Sequence, residues 1–271
     1  MPLPVIESPK NPRIVAAAKL LDRKTRARTG LFLIEGWRLV RTALQAEAAI
    51  EELYITRETQ QREGAGMMIA SLLASNVPVF EAGEAAVKRL SETVTPQGIA
   101  AVARRVDARF EDLRLGPRPL ILLADAVADP GNFGSLARIA AAAGAGAIIA
   151  LPDCCDWTSP KVLRASAGNV FHVPIVRAPL EAALMFLRGH NLPLAATIGA
   201  GGDSIYETDL SKGLALVFGN EANGVSEEVL SHADLRLTIP MPGPVESLNV
   251  TAAAAIAVFE AVRQRRLKKR G

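Results

Sequence analysis

Three turns of the chain carry polar side chains that can orient a reacting group or stabilise charge. Asn132 and Arg138 follow the first apolar stretch, Glu221 follows the second, and Ser247 and Asn249 follow the third. A guanidinium is a planar hydrogen-bond donor that pairs with anions, while carboxylates and amides can hold it in place. Asn132, Ser247 and Asn249 can equally cap helices that begin beside them, so the residues alone leave a structural role open.

Repeated strand-turn-helix units would position these side chains. In the clearest unit, residues 235–239 alternate as a half-buried strand does, and the prolines and glycine of 240–244 then exclude both strand and helix. The Ala-rich segment 250–262 has no charge in its first ten residues and predicts a core helix. Residues 214–230 and 120–150 repeat the same order of strand, polar turn and helix. This alternation predicts an α/β fold with a parallel sheet.

The three segments closely resemble the three signature motifs of the SpoU-type (TrmH-like) RNA ribose 2′-O-methyltransferases of the SPOUT superfamily. Their order and spacing fit as well. The first motif is Asp129-Pro130-x-Asn132-x-Gly134 with Arg138, the second is Phe218-Gly219-Asn220-Glu221-x-x-Gly224, and the third runs from Ile239-Pro240-Met241 to Glu246-Ser247-Leu248-Asn249-Val250.

The resemblance covers nearly the whole chain. Residues 159–168 are similar to the family's linking helix, and Asn11-Pro12 with 32–36 is similar to its substrate-binding domain. Asn169 departs from the alanine expected there. The segments predicted are an RNA substrate-binding α/β domain (1–107), a linker (108–118) and a SPOUT methyltransferase domain (119–271).

The resemblance implies S-adenosylmethionine as the cofactor, a trefoil knot in the C-terminal domain, and a homodimer whose active sites are completed across the interface. It assigns cofactor contact to Gly219, Ile239 and Leu248, and we add Thr197, which ends a predicted strand, and Asn249. Without the resemblance, the apolar residues and glycine among these would be interpreted as core. The small residues of 252–257 suggest that the closing helix takes part in the dimer contact.

The resemblance places five residues in the catalytic site: Arg138, Asn132, Glu221, Ser247 and Asn249. Arg138 is the residue implied to act on the 2′-hydroxyl. A guanidinium has a pKa above ~12 and no acceptor, which makes it a poor base. We therefore favour a role in which Arg138 pairs with the adjacent phosphate and stabilises the developing alkoxide, and proton acceptance is the alternative.

Charge is distributed unevenly along the chain. Up to Arg41 there are nine Lys and Arg residues against three acids, and after Glu260 there are six against none, although the net charge is only +3. Basic ends of this kind are suited to a polyanion, because phosphate binding releases counterions. The tail from Arg263 to Arg270 is interpreted as a basic helix end. The residues predicted to contact RNA are Lys19, Arg23, Lys24, Arg26 and Arg28.

Composition argues against several classes of protein. No apolar run approaches the ~18 residues of a membrane helix, and the first residues lack a signal-peptide pattern, so we expect a cytoplasmic protein. The only cysteines, Cys154 and Cys155, are adjacent and fit neither a disulfide framework nor a zinc site. No metal is expected, since the three histidines have no ligand partner at helical spacing. The glycines of 131–134 lack the spacing of a dinucleotide fingerprint.

The sequence thus predicts an S-adenosylmethionine-dependent RNA ribose 2′-O-methyltransferase, with ribosomal RNA favoured over transfer RNA as its substrate. Two alternatives remain open at this point. One is a non-catalytic RNA-binding or ribosome-assembly protein of the same fold, and the other is a SPOUT methyltransferase that modifies a base.

Overall fold

The computed structural model describes residues 2–245 and 247–268. Glu246, which belongs to the third motif, and Lys269 and Arg270 of the basic tail lie outside the described residues. The chain divides into two compact units. The first comprises residues 1–106 and 158–171, and the second comprises 107–157 and 172–271.

The first unit is built on a five-stranded sheet in the order β1-β4-β3-β5-β2. β5 runs antiparallel to both of its neighbours, and the other pairs are parallel. Helix and strand boundaries of the unit are β1 (Val5–Ile6), α1 (Pro12–Ala18), α2 (Arg23–Thr29), β2 (Leu31–Glu35), α3 (Trp37–Gln45), β3 (Ile50–Ile55), α4 (Ala65–Ala74), β4 (Val79–Ala82), α5 (Glu84–Arg89), β5 (Ile99–Arg104) and, after the sixth helix of the chain, α7 (Pro160–Ala165).

The first two helices of the first unit start where the sequence supplies capping groups. The Asn11 side chain accepts a hydrogen bond from the Arg13 amide at 2.9 Å, with proline at the first helical position of α1. The Asp22 carboxylate accepts one from the Thr25 amide at 2.9 Å and caps α2, which ends at Gly30 in the left-handed conformation. These caps fix where α2 begins and ends.

The second unit holds a seven-stranded sheet in the order β10-β12-β9-β11-β6-β7-β8. Every paired register in it is parallel. Its elements are β6 (Leu120–Ala124), α6 (Pro130–Ala143), β7 (Ala147–Ala150), β8 (Ile175–Arg177), α8 (Leu180–Gly189), β9 (Leu194–Ile198), β10 (Asp203–Ser204), β11 (Leu214–Phe218), α9 (Glu227–Ser231), β12 (Leu235–Thr238) and α10 (Val250–Leu267).

The parallel sheet explains why its central strands read as continuous apolar runs. All five residues of β6 and all five of β11 are buried, because helices cover both faces of the sheet. On one face, α10 packs against α6, and its buried positions are mostly alanine, which allows close approach. The interior of the unit is therefore set by the apolar strands and the small residues of these two helices.

The predicted α/β fold is confirmed, with a parallel sheet in the C-terminal part and a smaller α/β unit before it. The strands predicted within 120–150, 214–230 and 235–239 are all present, and β10 is an additional short strand. The contact-based units differ from the predicted segments at one point, since residues 158–171 pack with the first unit. The segment boundaries 1–107, 108–118 and 119–271 stay a prediction.

Candidate active site

Four neighbouring strands of the second unit end at the same edge of the sheet. The strands are β12, β9, β11 and β6, and because they are parallel their carboxyl ends lie side by side. In open parallel sheets, ligands bind at this edge, where loops leave the strands. The loops that follow here carry all three sequence motifs.

A cavity of about 310 Å³ opens among these loops. Of the five residues predicted to contact the cofactor, four line it: Thr197, Gly219, Ile239 and Leu248. The fifth, Asn249, does not line the cavity, because its side chain caps α10 and accepts from the Thr251 amide at 2.9 Å. The wall also includes Leu237, Val250, Ala253 and the 220–224 loop.

One polar network joins the three motifs beside this cavity. The Asn132 amide nitrogen Nδ2 donates to Glu221 Oε1 at 2.9 Å, and the Asp129 backbone amide donates to the same oxygen at 3.2 Å. Asn249 Nδ2 donates to Asn132 Oδ1 at 3.4 Å. Glu221 also lines the cavity, as does Ser247. The predicted residue Asn132 is thus hydrogen-bonded to both Glu221 and Asn249.

A second set of hydrogen bonds fixes the two loops that carry the network. Buried Asp125 accepts from the Ser226 amide through Oδ2 at 2.7 Å. Asn220 Nδ2 donates to the carbonyl of Ala126 at 3.0 Å, and Ala126 adopts a positive φ of 53°. Sequence reasoning missed Asp125 and Asn220 as supporting residues. The signal available was that each is a polar side chain close behind a fully apolar strand.

Gly219 is required by the path of the backbone. A Cβ atom there would lie 2.1 Å from the carbonyl carbon of Gly224, because the loop folds back and Asn220 and Gly224 exchange two backbone hydrogen bonds. Thr197 is also engaged, since its hydroxyl donates to the Val217 carbonyl at 2.6 Å. Gly219 and Thr197 therefore present mainly their peptide groups to the cavity, because neither has a free side chain.

Arg138 is exposed on α6 between buried and partly buried neighbours, and it lies outside the cavity lining. It comes six residues after Asn132, which places it about 9 Å along the helix and on a different face. No hydrogen bond or ion pair involving Arg138 occurs within the described part of the chain. A single chain therefore brings four of the five predicted catalytic residues to one place, and Arg138 stands apart from them.

Of the five residues predicted to contact RNA in the first unit, one, Arg26, is wrongly predicted. Lys19, Arg23, Lys24 and Arg28 are exposed, as RNA contact would require. Arg26 is only 6% exposed, and its Nη1 donates to the carbonyls of Leu20 at 2.9 Å and Leu21 at 2.7 Å. The Arg26 guanidinium packs against the segment before α2 and is not available to a phosphate, because the orientation of α2 turns this side chain inward.

The adjacent cysteines lie next to the network. The amide of Cys155 donates to the Val127 carbonyl at 3.0 Å, and the Cys154 thiol donates to the Ala124 carbonyl at 3.3 Å. Burial raises the pKa of Cys155 to about 12, with smaller contributions from Cys154 and nearby carboxylates, Glu221 among them. Burial likewise raises the pKa of Cys154 to about 11. Both are protonated thiols at neutral pH and make poor nucleophiles.

Two further findings concern metals and membranes. Within residues 2–245 and 247–268, histidine, cysteine and acidic side chains form no group of three that could hold a metal ion. That the protein needs no metal ion stays a prediction. Among the same residues, no helix combines the length and apolar character needed to cross a bilayer.

Comparison with known proteins agrees with this arrangement of motifs. The model of the SpoU rRNA Methylase family matches residues 119–259, and that of the MRM3-like substrate binding domain matches 11–101. A relative from Bacillus subtilis (strain 168), named 23S rRNA (guanosine(2553)-2′-O)-methyltransferase RlmP, is 36% identical over 94% of this chain and 97% of its own length. RlmB of Ralstonia nicotianae, a 23S rRNA (guanosine-2′-O-)-methyltransferase, is 31% identical over 86% of this chain and 96% of its own.

Solved structures show the same fold. An AdoMet-bound rRNA methyltransferase from Sinorhizobium meliloti superposes with a TM-score of 0.88 at 30% identity, covering 96% of this chain and 98% of that one. A structure described as an RNA 2′-O ribose methyltransferase gives a TM-score of 0.81 at 37% identity, covering 97% and 99%. By the family model's match over residues 119–259, which is more than half of the chain, and by a relative that matches 94% of it, this chain belongs to the SpoU methylase family.

Proposed function

We propose that this protein transfers a methyl group from S-adenosylmethionine to the 2′-hydroxyl of a ribose in ribosomal RNA. The observation that carries the proposal is the network in which Asn249, Asn132 and Glu221 join three loops at the mouth of one cavity. Relatives that match 94% and 86% of this chain are named 23S rRNA 2′-O-methyltransferases, which supports both the ribose position and the ribosomal substrate. The reaction is proposed to take place in the cytoplasm.

The cavity fits the proposed cofactor by its size and by the chemistry of its wall. Its volume of about 310 Å³ lies at the lower end of small-molecule sites. Leu237, Ile239 and Leu248 offer apolar surface for an adenine ring, and the peptide groups of the 219–224 loop offer donors and acceptors. Glu221 is the one carboxylate in the lining among the described residues, and it suits a positively charged ligand. When bound, S-adenosylmethionine would supply an electrophilic methyl group on sulfur.

The chain's own residues would orient the ribose and stabilise charge. Glu221 holds the Asn132 side-chain amide through Nδ2, and Asn249 donates to its Oδ1, so the amide cannot turn. We propose that this fixed amide and the neighbouring Ser247 hydroxyl direct the 2′-hydroxyl towards the cavity. Arg138 would pair with the adjacent phosphate and stabilise the alkoxide as the proton leaves to solvent or a phosphate oxygen. Proton acceptance by Arg138 stays the alternative.

The position of Arg138 favours a homodimer. Within one chain Arg138 is exposed and lies away from the cavity, so a second copy could insert it into the site of its partner. Exposed apolar side chains on and before α10, among them Val245, Leu248 and Phe259, give such a contact an apolar surface. We infer that the dimer uses α10 and that each site is completed by the other chain.

We also infer that the C-terminal part is knotted, as the family resemblance implies. The supporting observation is the route of the chain after β12. β12 lies two places away from β11 in the sheet, yet the following helix, α10, returns across the sheet to pack against β11 and α6. The loop of 239–249 makes this return at the cavity wall, so a knot would tie the loop rigidly to its neighbours.

The test is methylation of ribosomal RNA by purified protein with radiolabelled S-adenosylmethionine, followed by mapping of the methyl group. A ribose 2′-O-methyl blocks alkaline cleavage at that nucleotide, whereas a methylated base leaves the cleavage ladder intact. We expect one protected nucleotide in RNA taken from cells that lack the gene, and none with Glu221→Ala. Binding of RNA without methyl transfer would favour the assembly-protein alternative, and transfer to a base would favour the other SPOUT class.

A further inference from the structure

The second unit has another cavity at the opposite edge of its sheet from the site described above. Its lining includes Leu120 at the start of β6, Gly146 just before β7 and Pro174 just before β8, which are all amino-terminal ends of strands. The volume is about 570 Å³. We call it the arginine pocket, because Arg114, Arg118 and Arg265 line it.

Arg265 anchors the pocket with an incompletely satisfied guanidinium. Its Nη2 donates to the carbonyl of Lys212 at 2.6 Å and to that of Pro119 at 3.4 Å. Its Nε is buried and has no hydrogen-bond partner among the described residues. Such an orphaned donor costs free energy unless something accepts from it. The position of Arg265 is fixed, and one of its donors is left over.

The carboxylate in the pocket does not balance its positive charge. Asp112 is held by Arg109, which donates to it twice, from Nε at 2.9 Å and from Nη2 at 3.0 Å. Arg109 lowers the pKa of Asp112 most, and Arg114 contributes least of the groups that act on it. Neither Arg114 nor Arg118 forms an ion pair in the described part of the chain.

The carboxyl ends of two helices near the pocket offset only part of its positive charge. α6 ends at Ala143, its capping residue Gly144 lies in the pocket wall, and Arg265 belongs to the last turn of α10. Each carboxyl end carries about half a negative charge, so together they offset about one of three guanidinium charges. The pKa of Arg265 is lowered by burial and then by the positive charge of Arg118, which means that the two cations repel each other. About two positive charges remain without an anion.

We propose that the arginine pocket binds a phosphate group. Guanidinium forks match the oxygens of phosphate and are less hydrated than ammonium groups, so three of them around one cavity suit a phosphate oxyanion, which carries one negative charge in an RNA backbone and up to two as inorganic phosphate. The source assigned here is a backbone phosphate of the RNA substrate at a distance from the methylated nucleotide, and this assignment rests on the proposed function. Free inorganic phosphate shares the chemistry and is distinguished by the test.

The first experiment uses inorganic phosphate and the full-length protein. Wild type, the double variant Arg114→Gln/Arg118→Gln and the matched control Arg188→Gln are melted in rising phosphate, with chloride at equal ionic strength as reference. Arg188 is an exposed arginine on α8, outside the pocket. We expect phosphate to raise the Tm of wild type and of the control, and to leave the double variant unchanged. An equal rise of Tm with phosphate in all three proteins would refute phosphate binding in the arginine pocket.

The second experiment measures RNA affinity as a function of salt. Each lost phosphate contact should reduce the slope of log Kd against log salt by about 0.7 to 0.9, so the double variant should show a shallower slope than Arg188→Gln. A normal slope combined with a lost phosphate response would leave the pocket standing and overturn the RNA source. Arg265→Lys keeps the charge and removes the fork. Its slope of log Kd against log salt should lie between that of wild type and that of the double variant. Methylation by wild type, measured in parallel, reports separately on the proposed function.

Discussion

Replacing Gly219 by alanine would test whether close backbone packing shapes the cofactor cavity. A Cβ atom at this position would lie 2.1 Å from the carbonyl carbon of Gly224 and 2.2 Å from the amide nitrogen of Val225. Ordinary van der Waals contact begins at about 3.4 Å, so the 220–224 loop would have to move by about 1.3 Å. No flexible side chain is present at the contact to absorb this change.

The magnitude follows from the bonds that such a movement would break. Asn220 and Gly224 exchange backbone hydrogen bonds of 2.8 and 2.9 Å, and the Asn220 side chain donates to Ala126 at 3.0 Å. At about 1 kcal/mol net for each bond, the free energy of unfolding should fall by about 2–3 kcal/mol. The moved loop is also a wall of the cavity. A similar loss of contact free energy would weaken cofactor binding by roughly 10².

Calorimetric titration with S-adenosylmethionine and thermal melts measure the two effects together. Gly189→Ala is the matched control, because a Cβ atom there meets nothing within 4 Å, and we expect it to be neutral or slightly stabilising. Cofactor affinity and melting temperature that both remain at the wild-type value in Gly219→Ala would refute the packing argument. Lost affinity with a wild-type melt would show that only the cavity wall had moved.

The remaining predictions can be checked with standard assays. Arg138→Lys should lower single-turnover methyl transfer by roughly 10² or more with nearly unchanged cofactor affinity, because the fork is used mainly in the transition state, whereas a joint loss of stability and binding would indicate a structural role. Leu248→Trp should block cofactor binding while the first unit stays folded by circular dichroism; wild-type affinity would remove Leu248 from the cavity wall. Light scattering at micromolar concentration should give a dimer, and an active monomer would contradict it. Cys155, with its pKa raised to about 12 by burial, should react with iodoacetamide at neutral pH at least ~10² more slowly than a free thiol. Since that pKa is higher in the folded chain than its ordinary 9.0, the free energy of unfolding should decline as pH rises from about 9 towards 12, and Cys155→Ala should lessen the decline.

Periodicity predicted the strands of the second unit because each is a short apolar run between clear turn residues. It missed β10, which is only two residues long and has no apolar pattern. Capping chemistry left Ser247 or Asn249 as the residue at the start of α10, and the structure selects Asn249, whose side chain accepts from the Thr251 amide. Local patterns of this kind are readable because they depend on neighbours in sequence.

Contacts between distant residues were beyond such reasoning. The Asn132–Glu221 bond joins positions 89 apart, and only the family resemblance indicated that they share a site. Arg26 looked like one more cation in a basic run, yet the orientation of α2 turns it inward towards Leu20. Its burial is a property of tertiary packing and leaves no mark on charge or composition.

The segment 158–171 has a consequence for how the protein is made. It packs with residues 1–106, although 51 residues of the other unit come between them in the chain. Phe171 stacks on Phe32 with ring centroids 6.3 Å apart, and buried Gly168 leaves room for Thr42 and Leu39. On the ribosome, the first 106 residues would therefore emerge well before the piece that completes their core. A nascent chain halted near residue 107 would expose this apolar surface, which makes translation pauses in that stretch a hazard for aggregation.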